Sequence, residues 1–310
     1  MSSPLPDPVP DRINEPLRSR HRLDRTLRLA NPVQTGSALG ITRPAWGLAD
    51  AALGLLAFIL VPFAGGVLIA LLGGGRLTPA LILLSLVLVW ATILAVCLLV
   101  SKLRGYGSVA KDFGLRFKWV DVGIGLGCGI AARLLVLAVT SLLVFVWPPP
   151  DGNMPTTNIS VFLTGGTVWL IINAFIGGVL IAPVLEELFF RGFILRAVQN
   201  AWWLSGPKRG PVDAPTTPAD KSHVQPAVPA RSLKTAATAA VVISAVIFSL
   251  VHLGSVPDLY STVVLLVSVF VMGLVCGALT VLTGRLGPAI VTHMVFNGVA
   301  MVAALVLNIG

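Results

Sequence analysis

The sequence predicts an all-α protein, a multi-pass transmembrane helical bundle of about seven spans. Of its 310 residues, 55% are hydrophobic and only 11% are charged, whereas soluble domains average about 25% charged residues. The hydrophobic residues form long runs instead of alternating with polar ones, and most runs have the roughly 20 residues that cross a bilayer. Length and composition together exclude an ordinary soluble fold.

Seven apolar segments carry this prediction. The third and fourth are longer than a span needs, so we expect them to tilt, protrude or break, and Pro183 is expected to kink the fourth. In the third, glycines spaced four apart between residues 123 and 129 predict close helix packing. The segments are residues 51–72, 79–100, 120–147, 161–197, 236–253, 259–283 and 288–307.

Basic residues cluster in alternate loops, and this pattern gives an orientation. Residues 1–45 hold seven arginines, the loops after the second, fourth and sixth segments hold most of the other basic residues, and the intervening loops hold only Arg76. The positive-inside rule therefore places the N-terminus in the cytoplasm and the C-terminus outside. The net charge of +9 is then a topology signal, and we expect a lipid bilayer as partner and no nucleic acid.

The polar parts of the chain predict the domain organisation. Residues 1–45 are expected to be a disordered basic cytoplasmic tail, whose arginines either set the orientation or also bind anionic lipid. Residues 46–310 form the transmembrane domain, with a flexible cytoplasmic loop at residues 204–234 that holds six prolines. Residues 105–118 form a basic juxtamembrane stretch in which Phe113, Leu115 and Phe117 are expected to dip into the interface.

Glu186 and Glu187 lie side by side inside the fourth apolar segment. A carboxylate at the centre of a membrane helix costs about 2.5–3.5 kcal/mol, so each needs a reason to be there. On a helix, Glu187 and Arg191 share one face and can form an ion pair, while Glu186 is offset by about 100°. This predicts a structural Glu187 and a free Glu186 that can act as a general base. The alternative is that both are structural, with Arg196 as the second cation.

Two further motifs bring histidines into other apolar segments. Phe248 and His252 are four residues apart in the fifth, and His293 and Asn297 are four apart in the seventh. A lone histidine in an apolar segment is more often packed and hydrogen-bonded than catalytic. Two histidines, an asparagine and an unpaired Glu186 form a set that can hold a water and donate hydrogen bonds to a developing oxyanion.

In this order the three motifs resemble those of the CPBP family, the CAAX protease and bacteriocin-processing (Abi) membrane proteases. The family pattern is EExxxR, then FxxxH, then HxxxN or HxxxD, and the chain fills every motif position within about residues 160–300. The resemblance implies an α-helical intramembrane endopeptidase related to the type II CAAX prenyl endopeptidase. It implies a membrane-associated peptide substrate, which is a prenylated protein, a bacteriocin or another small peptide, and we expect a prokaryotic plasma membrane.

The resemblance also implies roles by position. Glu186 with His252 would activate the hydrolytic water, and His293 with Asn297 would stabilise the oxyanion. The supporting residues would be Glu187, Arg191 and Phe248. We expect no cofactor; the alternative is a zinc ion held by Glu186, His252 and His293, with water as the fourth ligand. No HExxH motif is present, and a Glu186 bound to zinc would no longer be free as a base.

Three questions stay open at this point. The chain could instead be an ion-coupled transporter, although it has no visible internal repeat, or a non-catalytic membrane adaptor or immunity protein. Arg133 in the third segment either pairs structurally or faces substrate.

In the predicted topology, Glu186 and His293 lie towards the cytoplasmic half and His252 near the outer end. They meet only if the fifth helix begins well inside the cytoplasm or the fourth is longer or kinked. The oligomeric state is not specified.

Overall fold

The computed structural model of the protein describes residues 46–204 and 230–307, apart from residues 75, 77, 151, 153, 154 and 164. The predicted tail at residues 1–45 lies outside the described residues, and so does the part of the predicted loop at residues 205–229. Throughout the described ranges the secondary structure is helical, without a strand.

The helices are numbered here in chain order. They are α1 (Leu48–Leu72), α2 (Pro79–Arg104), the short α3 (Val109–Asp112), α4 (Val120–Val146), α5 (residues 167–204), α6 (Ala230–Leu250), α7 (Leu259–Thr283) and α8 (Gly287–Leu307). A single 3₁₀ turn, Ser160–Leu163, precedes α5. Among the described residues, α1, α2, α4, α5, α7 and α8 are long and apolar enough to cross a membrane, and α6 is a shorter apolar helix. The predicted multi-pass helical bundle is confirmed.

Local sequence signals account for where the long helices begin and end. The Thr78 hydroxyl accepts a hydrogen bond from Leu81 N at 3.3 Å, at the start of α2. Asp258 Oδ1 accepts one from Ser261 N at 2.7 Å, at the start of α7, and this bond holds the pKa of Asp258 below its ordinary value. Helix α7 ends at Gly284, whose φ of 71° is a conformation that glycine adopts without strain.

Helices α4 and α8 pack closely through glycine. A Cβ added at Gly125 would collide with Val291, and one added at Gly129 would lie 2.7 Å from Val295 Cβ. Gly127, between them, has nothing within 4 Å of such a Cβ. The predicted close packing through glycines four apart is therefore confirmed for one face of α4.

The loops predicted to share one side of the membrane do lie together. Leu286 N, between α7 and α8, donates to Gly114 O at 2.9 Å, in the loop that follows α3. Asn200 Nδ2, near the end of α5, donates to Trp46 O at 2.8 Å, just before α1. The relative sidedness of these loops follows the charge pattern, while the assignment of this side to the cytoplasm stays a prediction.

The interfacial prediction for the loop after α3 is wrong for Phe113. Its side chain is fully buried, with ring centroids 5.3 Å from Trp46 and 6.1 Å from Phe193. Phe117, by contrast, is 54% exposed. The short helix α3 turns Phe113 into the core, and the sequence pattern of alternating apolar residues did not reveal that helix.

Helix α5 begins and ends later than predicted and is continuous through residues 167–204. It alternates between hydrogen-bond patterns, being π-helical at Leu170–Ile181 and Leu188–Ile194 and α-helical between them at Ala182–Glu187. Pro183 lies in the first turn of that α-helical part, so its missing N–H coincides with the change of pattern. π-Helical turns are frequent at functional sites.

Helix α6 answers the question of depth. It begins at residue 230, six residues before the predicted start, and ends at residue 250. Its last turns pack on the first half of α7: Ser249 Oγ donates to Leu266 O at 2.8 Å, and Ala245, one turn earlier, packs on Gly273. His252 comes two residues after this end, and its electrostatic interaction with Glu186 shows that the two side chains lie near each other.

Candidate active site

A buried ion pair supports the site from within the protein core. Arg191 Nη1 lies 3.1 Å from Glu187 Oε1, four residues earlier on α5, and neither side chain is exposed. Arg191 Nη2 also donates to Gly273 O on α7 at 3.2 Å, and its guanidinium lies 4.3 Å from the centre of the Phe248 ring. The predicted Glu187–Arg191 pair is present, and it ties α5 to both α6 and α7.

His293 on α8 lies between the two glutamates. Its Nδ1 is 2.9 Å from Glu187 Oε1, and its Nε2 is 3.7 Å from Glu186 Oε2. A carboxylate only accepts hydrogen bonds, so Nδ1 carries the hydrogen in the contact with an ionised Glu187. Nε2 therefore faces Glu186, and the ring is held by a carboxylate that Arg191 neutralises.

Glu186 differs from its neighbour in exposure. The Glu186 side chain is 25% exposed, whereas Glu187 is fully buried. Among the described residues no hydrogen bond reaches the Glu186 carboxylate, and its nearest charged partner is His293 Nε2. The offset of about 100° between adjacent helix positions gives the two glutamates these different surroundings.

His252 reaches the site from the turn after α6. Its Nδ1 lies 2.8 Å from Phe248 O, and its ring stacks edge-on against Phe248, 5.0 Å between centroids. The same Phe248 ring lies 5.8 Å from that of His293. His252 interacts electrostatically with Glu186 and with His293. Phe248 is thus the common wall against which both imidazoles and Arg191 pack.

Asn297 lies one turn beyond His293 on α8 and points to α5. Its Nδ2 donates to Gly178 O at 3.0 Å. Gly178 belongs to the π-helical part of α5, two turns before Glu186. One hydrogen of the Asn297 amide is therefore used to join α8 to α5, and the second remains for another acceptor.

The geometry bears on two alternatives: Arg196 as the second cation of the glutamate pair, and a metal site. Arg196 is not the second cation of the glutamate pair: its Nη1 donates to Asp112 O at 2.6 Å, and the side chain is fully buried. Within the described ranges, no three His, Cys, Asp or Glu side chains converge closely enough to hold a metal ion. The expected absence of a cofactor and the alternative zinc site at Glu186, His252 and His293 both stay predictions.

Comparison with known families shows which family the chain is similar to. Residues 167–299 match a family model described as Type II CAAX prenyl endopeptidase Rce1-like. Over these residues the chain is similar to the Rce1-like family. The match begins at α5 and ends within α8, so it contains all three motifs and confirms the resemblance to CPBP membrane proteases. No curated protein and no solved structure matches the chain.

The Rce1-like part also contains two backbone groups that sequence reasoning missed. The carbonyl oxygens of Gly178 and Gly273 accept hydrogen bonds from Asn297 and Arg191, respectively, and thereby hold these two side chains in place. Backbone acceptors carry no side-chain signature. The adjacent glycines 177 and 178 inside an apolar span were the available signal, because glycine in a membrane helix allows close approach of a partner.

Proposed function

We propose that this Rce1-like chain is an intramembrane endopeptidase that hydrolyses a peptide bond of a membrane-associated substrate with water activated by Glu186. One observation carries the proposal: a partly exposed Glu186 carboxylate lies beside His293, whose other ring nitrogen is held by the buried Glu187–Arg191 pair. The family implies CAAX-type endopeptidase activity in general; the residue roles and the substrate are our proposal.

His252 is suited to hold the water. Phe248 O is a carbonyl and can only accept, so Nδ1 of His252 donates to it. In the neutral ring Nε2 then carries a lone pair and accepts a hydrogen from water. Glu186 accepts the other hydrogen, and the two residues together orient the water oxygen towards a substrate carbonyl carbon.

His293 and Asn297 are suited to stabilise the oxyanion. In its protonated form His293 donates from Nε2, while Nδ1–H stays on Glu187 Oε1. Asn297 donates the amide hydrogen that Gly178 does not use. Donors fixed before the reaction stabilise the developing negative charge without reorganising, and one such donor contributes about 10²–10³ in kcat.

The proposed reaction balances with one water. Glu186 takes a proton from water as the water oxygen bonds to the carbonyl carbon, which gives a tetrahedral oxyanion. Collapse of this intermediate breaks the carbon–nitrogen bond, and protonated Glu186 returns its proton to the leaving amine. The products are a carboxylic acid and an amine, whose proton exchange gives a carboxylate and an ammonium group, and Glu186 ends as it began.

The experiment compares peptide N-termini in membranes from cells that express wild type or Glu186→Gln at equal levels. We expect a set of termini that appears only with wild type. A matched control is Arg104→Gln, at an exposed ion pair with Asp50, which should reproduce the wild-type termini. Identical profiles for wild type and Glu186→Gln, in cells that show a phenotype dependent on the protein, would refute the hydrolase and favour an adaptor or a transporter.

A further inference from the structure

A short segment of alternating basic and aromatic residues, residues 116–119, leads into α4. It reads Arg-Phe-Lys-Trp, and all of its side chains are exposed. Trp119 is 87% exposed, and its ring meets that of Phe117 edge-on, with the centroids 5.9 Å apart. The two rings therefore lie on one side of the segment and form an apolar surface that the described part of the protein leaves uncovered.

Neighbouring elements hold the backbone of this segment in place. Gly287 N, at the start of α8, donates to Arg116 O at 3.2 Å, and Lys118 N donates to Asp121 Oδ2 at 2.8 Å. The Asp121 carboxylate is fully buried and pairs with Arg285. These bonds use backbone groups of the segment, so its basic side chains stay available while their position is fixed.

The charge exposed between the last turn of α2 and the first turn of α4 is entirely positive. The two acidic residues of this stretch, Asp112 and Asp121, are fully buried. Arg104 pairs with Asp50, and the other basic residues form no ion pair within the described ranges. An anion that approaches this surface therefore meets cations without a competing carboxylate. The exposed basic residues are Lys102, Arg104, Lys111, Arg116 and Lys118.

The arginines inside the described part of the protein differ, because each contacts an acceptor there. Arg133, in the middle of α4, donates from Nη2 to Phe296 O on α8, and its guanidinium carbon lies 3.6 Å from the centre of the Phe296 ring. Arg133 thus joins α4 to α8. The exposed basic residues are the ones that remain for a partner outside the chain. The other internal contacts are Arg191 with Glu187, Arg196 with Asp112 O, and Arg285 with Asp121.

We propose that residues 116–119 bind the headgroup of an anionic phospholipid in the leaflet on the side of the basic loops. Helix α4 is long and apolar enough to cross the membrane and begins at Val120, so the segment lies where a leaflet meets water. Aromatic rings favour this interface, and basic residues beside it attract anionic lipid. A soluble acidic partner would satisfy the charges but leave both rings in water. The inference does not depend on the proposed endopeptidase function.

The test measures lipid selectivity at Trp119 in a bilayer. Full-length protein is reconstituted in phosphatidylcholine vesicles that contain a small share of brominated phosphatidylglycerol or of brominated phosphatidylcholine, and bromine quenches tryptophan fluorescence on contact. The difference between wild type and Trp119→Phe isolates the quenching of Trp119. We expect the association constant at Trp119 to be about 10- to 30-fold higher for phosphatidylglycerol, as for two basic residues near an anionic surface.

Two double variants of equal charge separate a local site from the overall charge. Arg116→Gln with Lys118→Gln should bring the selectivity at Trp119 to near one, and the fold should persist because the segment is held through its backbone. Lys208→Gln with Arg209→Gln, between α5 and α6, removes the same charge on the same predicted side. This control should keep the wild-type selectivity.

Three results would overturn the proposal. A wild-type selectivity near one would do so without any variant, even if the double variants do not fold, and would favour an acidic protein or a nucleic acid as the partner of this surface. An equal loss of selectivity in both double variants would show that lipid preference follows the net charge. A loss caused by inorganic phosphate, beyond the loss that sodium chloride causes at equal ionic strength, would assign the surface to a free anion.

Discussion

Replacing Arg191 with methionine should strongly destabilise the protein, because it leaves the Glu187 carboxylate buried without its cation. Glu187 is fully buried and 3.1 Å from Arg191 Nη1, and the change also removes the hydrogen bond to Gly273 O. Removing one partner of a buried ion pair costs about 3–5 kcal/mol. His293 Nδ1 still contacts Glu187 and can compensate in part, so we expect a loss of about 3 kcal/mol, at the lower end of that range.

A double-mutant cycle in detergent micelles measures the coupling between the two residues. Glu187→Gln combined with Arg191→Met removes both charges, so the double variant should be more stable than the sum of the single changes by about 2–3 kcal/mol. The control is Arg104→Met, whose pair with Asp50 is exposed and should contribute less than about 1 kcal/mol. If the unfolding free energy of Arg191→Met lies within about 1 kcal/mol of the wild-type value, or if the coupling free energy is zero, the reasoning about the buried pair is refuted.

Three further changes test packing, the oxyanion donors and the metal question. Gly129→Val should destabilise the α4–α8 contact by about 1–3 kcal/mol through overpacking, whereas Gly127→Val should not, because its Cβ meets open space; equal unfolding free energies would contradict this. Asn297→Ala should lower kcat about 10²–10³-fold with little change in KM, as for other oxyanion donors; an unchanged kcat would remove Asn297 from that role. 1,10-Phenanthroline should leave the cleavage rate unchanged, and a loss that added zinc restores would establish the zinc alternative.

The part of the site predicted best from sequence is the part that depends on one helix. The spacing of Glu187 and Arg191 fixes their common face whether or not the rest of the fold is known, and the pair is present. The long apolar runs likewise fixed the number of spans within one, since a bilayer imposes a minimum helix length. Both inferences use local geometry alone.

The contacts between helices were not predictable in the same way. The sequence suggested His252 as the partner of Glu186, and the structure adds His293, at 3.7 Å from Glu186 and at 2.9 Å from Glu187. This arrangement depends on the register of α8 against α5, which the Asn297–Gly178 hydrogen bond and the α4 glycines determine. Neither the motif spacing nor the hydropathy contains that register.

The early end of α6 was also hidden, because an apolar run looks the same whether a helix continues or stops inside it. The run from 236 to 253 is apolar to its end, yet α6 stops at residue 250 and a turn carries His252. The turn after residue 250 leaves the imidazole within electrostatic reach of Glu186, and backbone irregularity inside a membrane is tolerated where protein surrounds it.

The two adjacent glutamates have different surroundings within this enclosed site. Glu187 faces Arg191, His293 and the packed core, where a neutralised carboxylate can orient an imidazole. Glu186, one position earlier and rotated by about 100°, keeps a 25% exposed side chain where a water and a peptide bond can approach. If the two environments were exchanged, the proposed base Glu186 would be buried and the supporting Glu187 would be exposed. The rotation between two adjacent helix positions therefore separates the proposed catalytic carboxylate from the structural one.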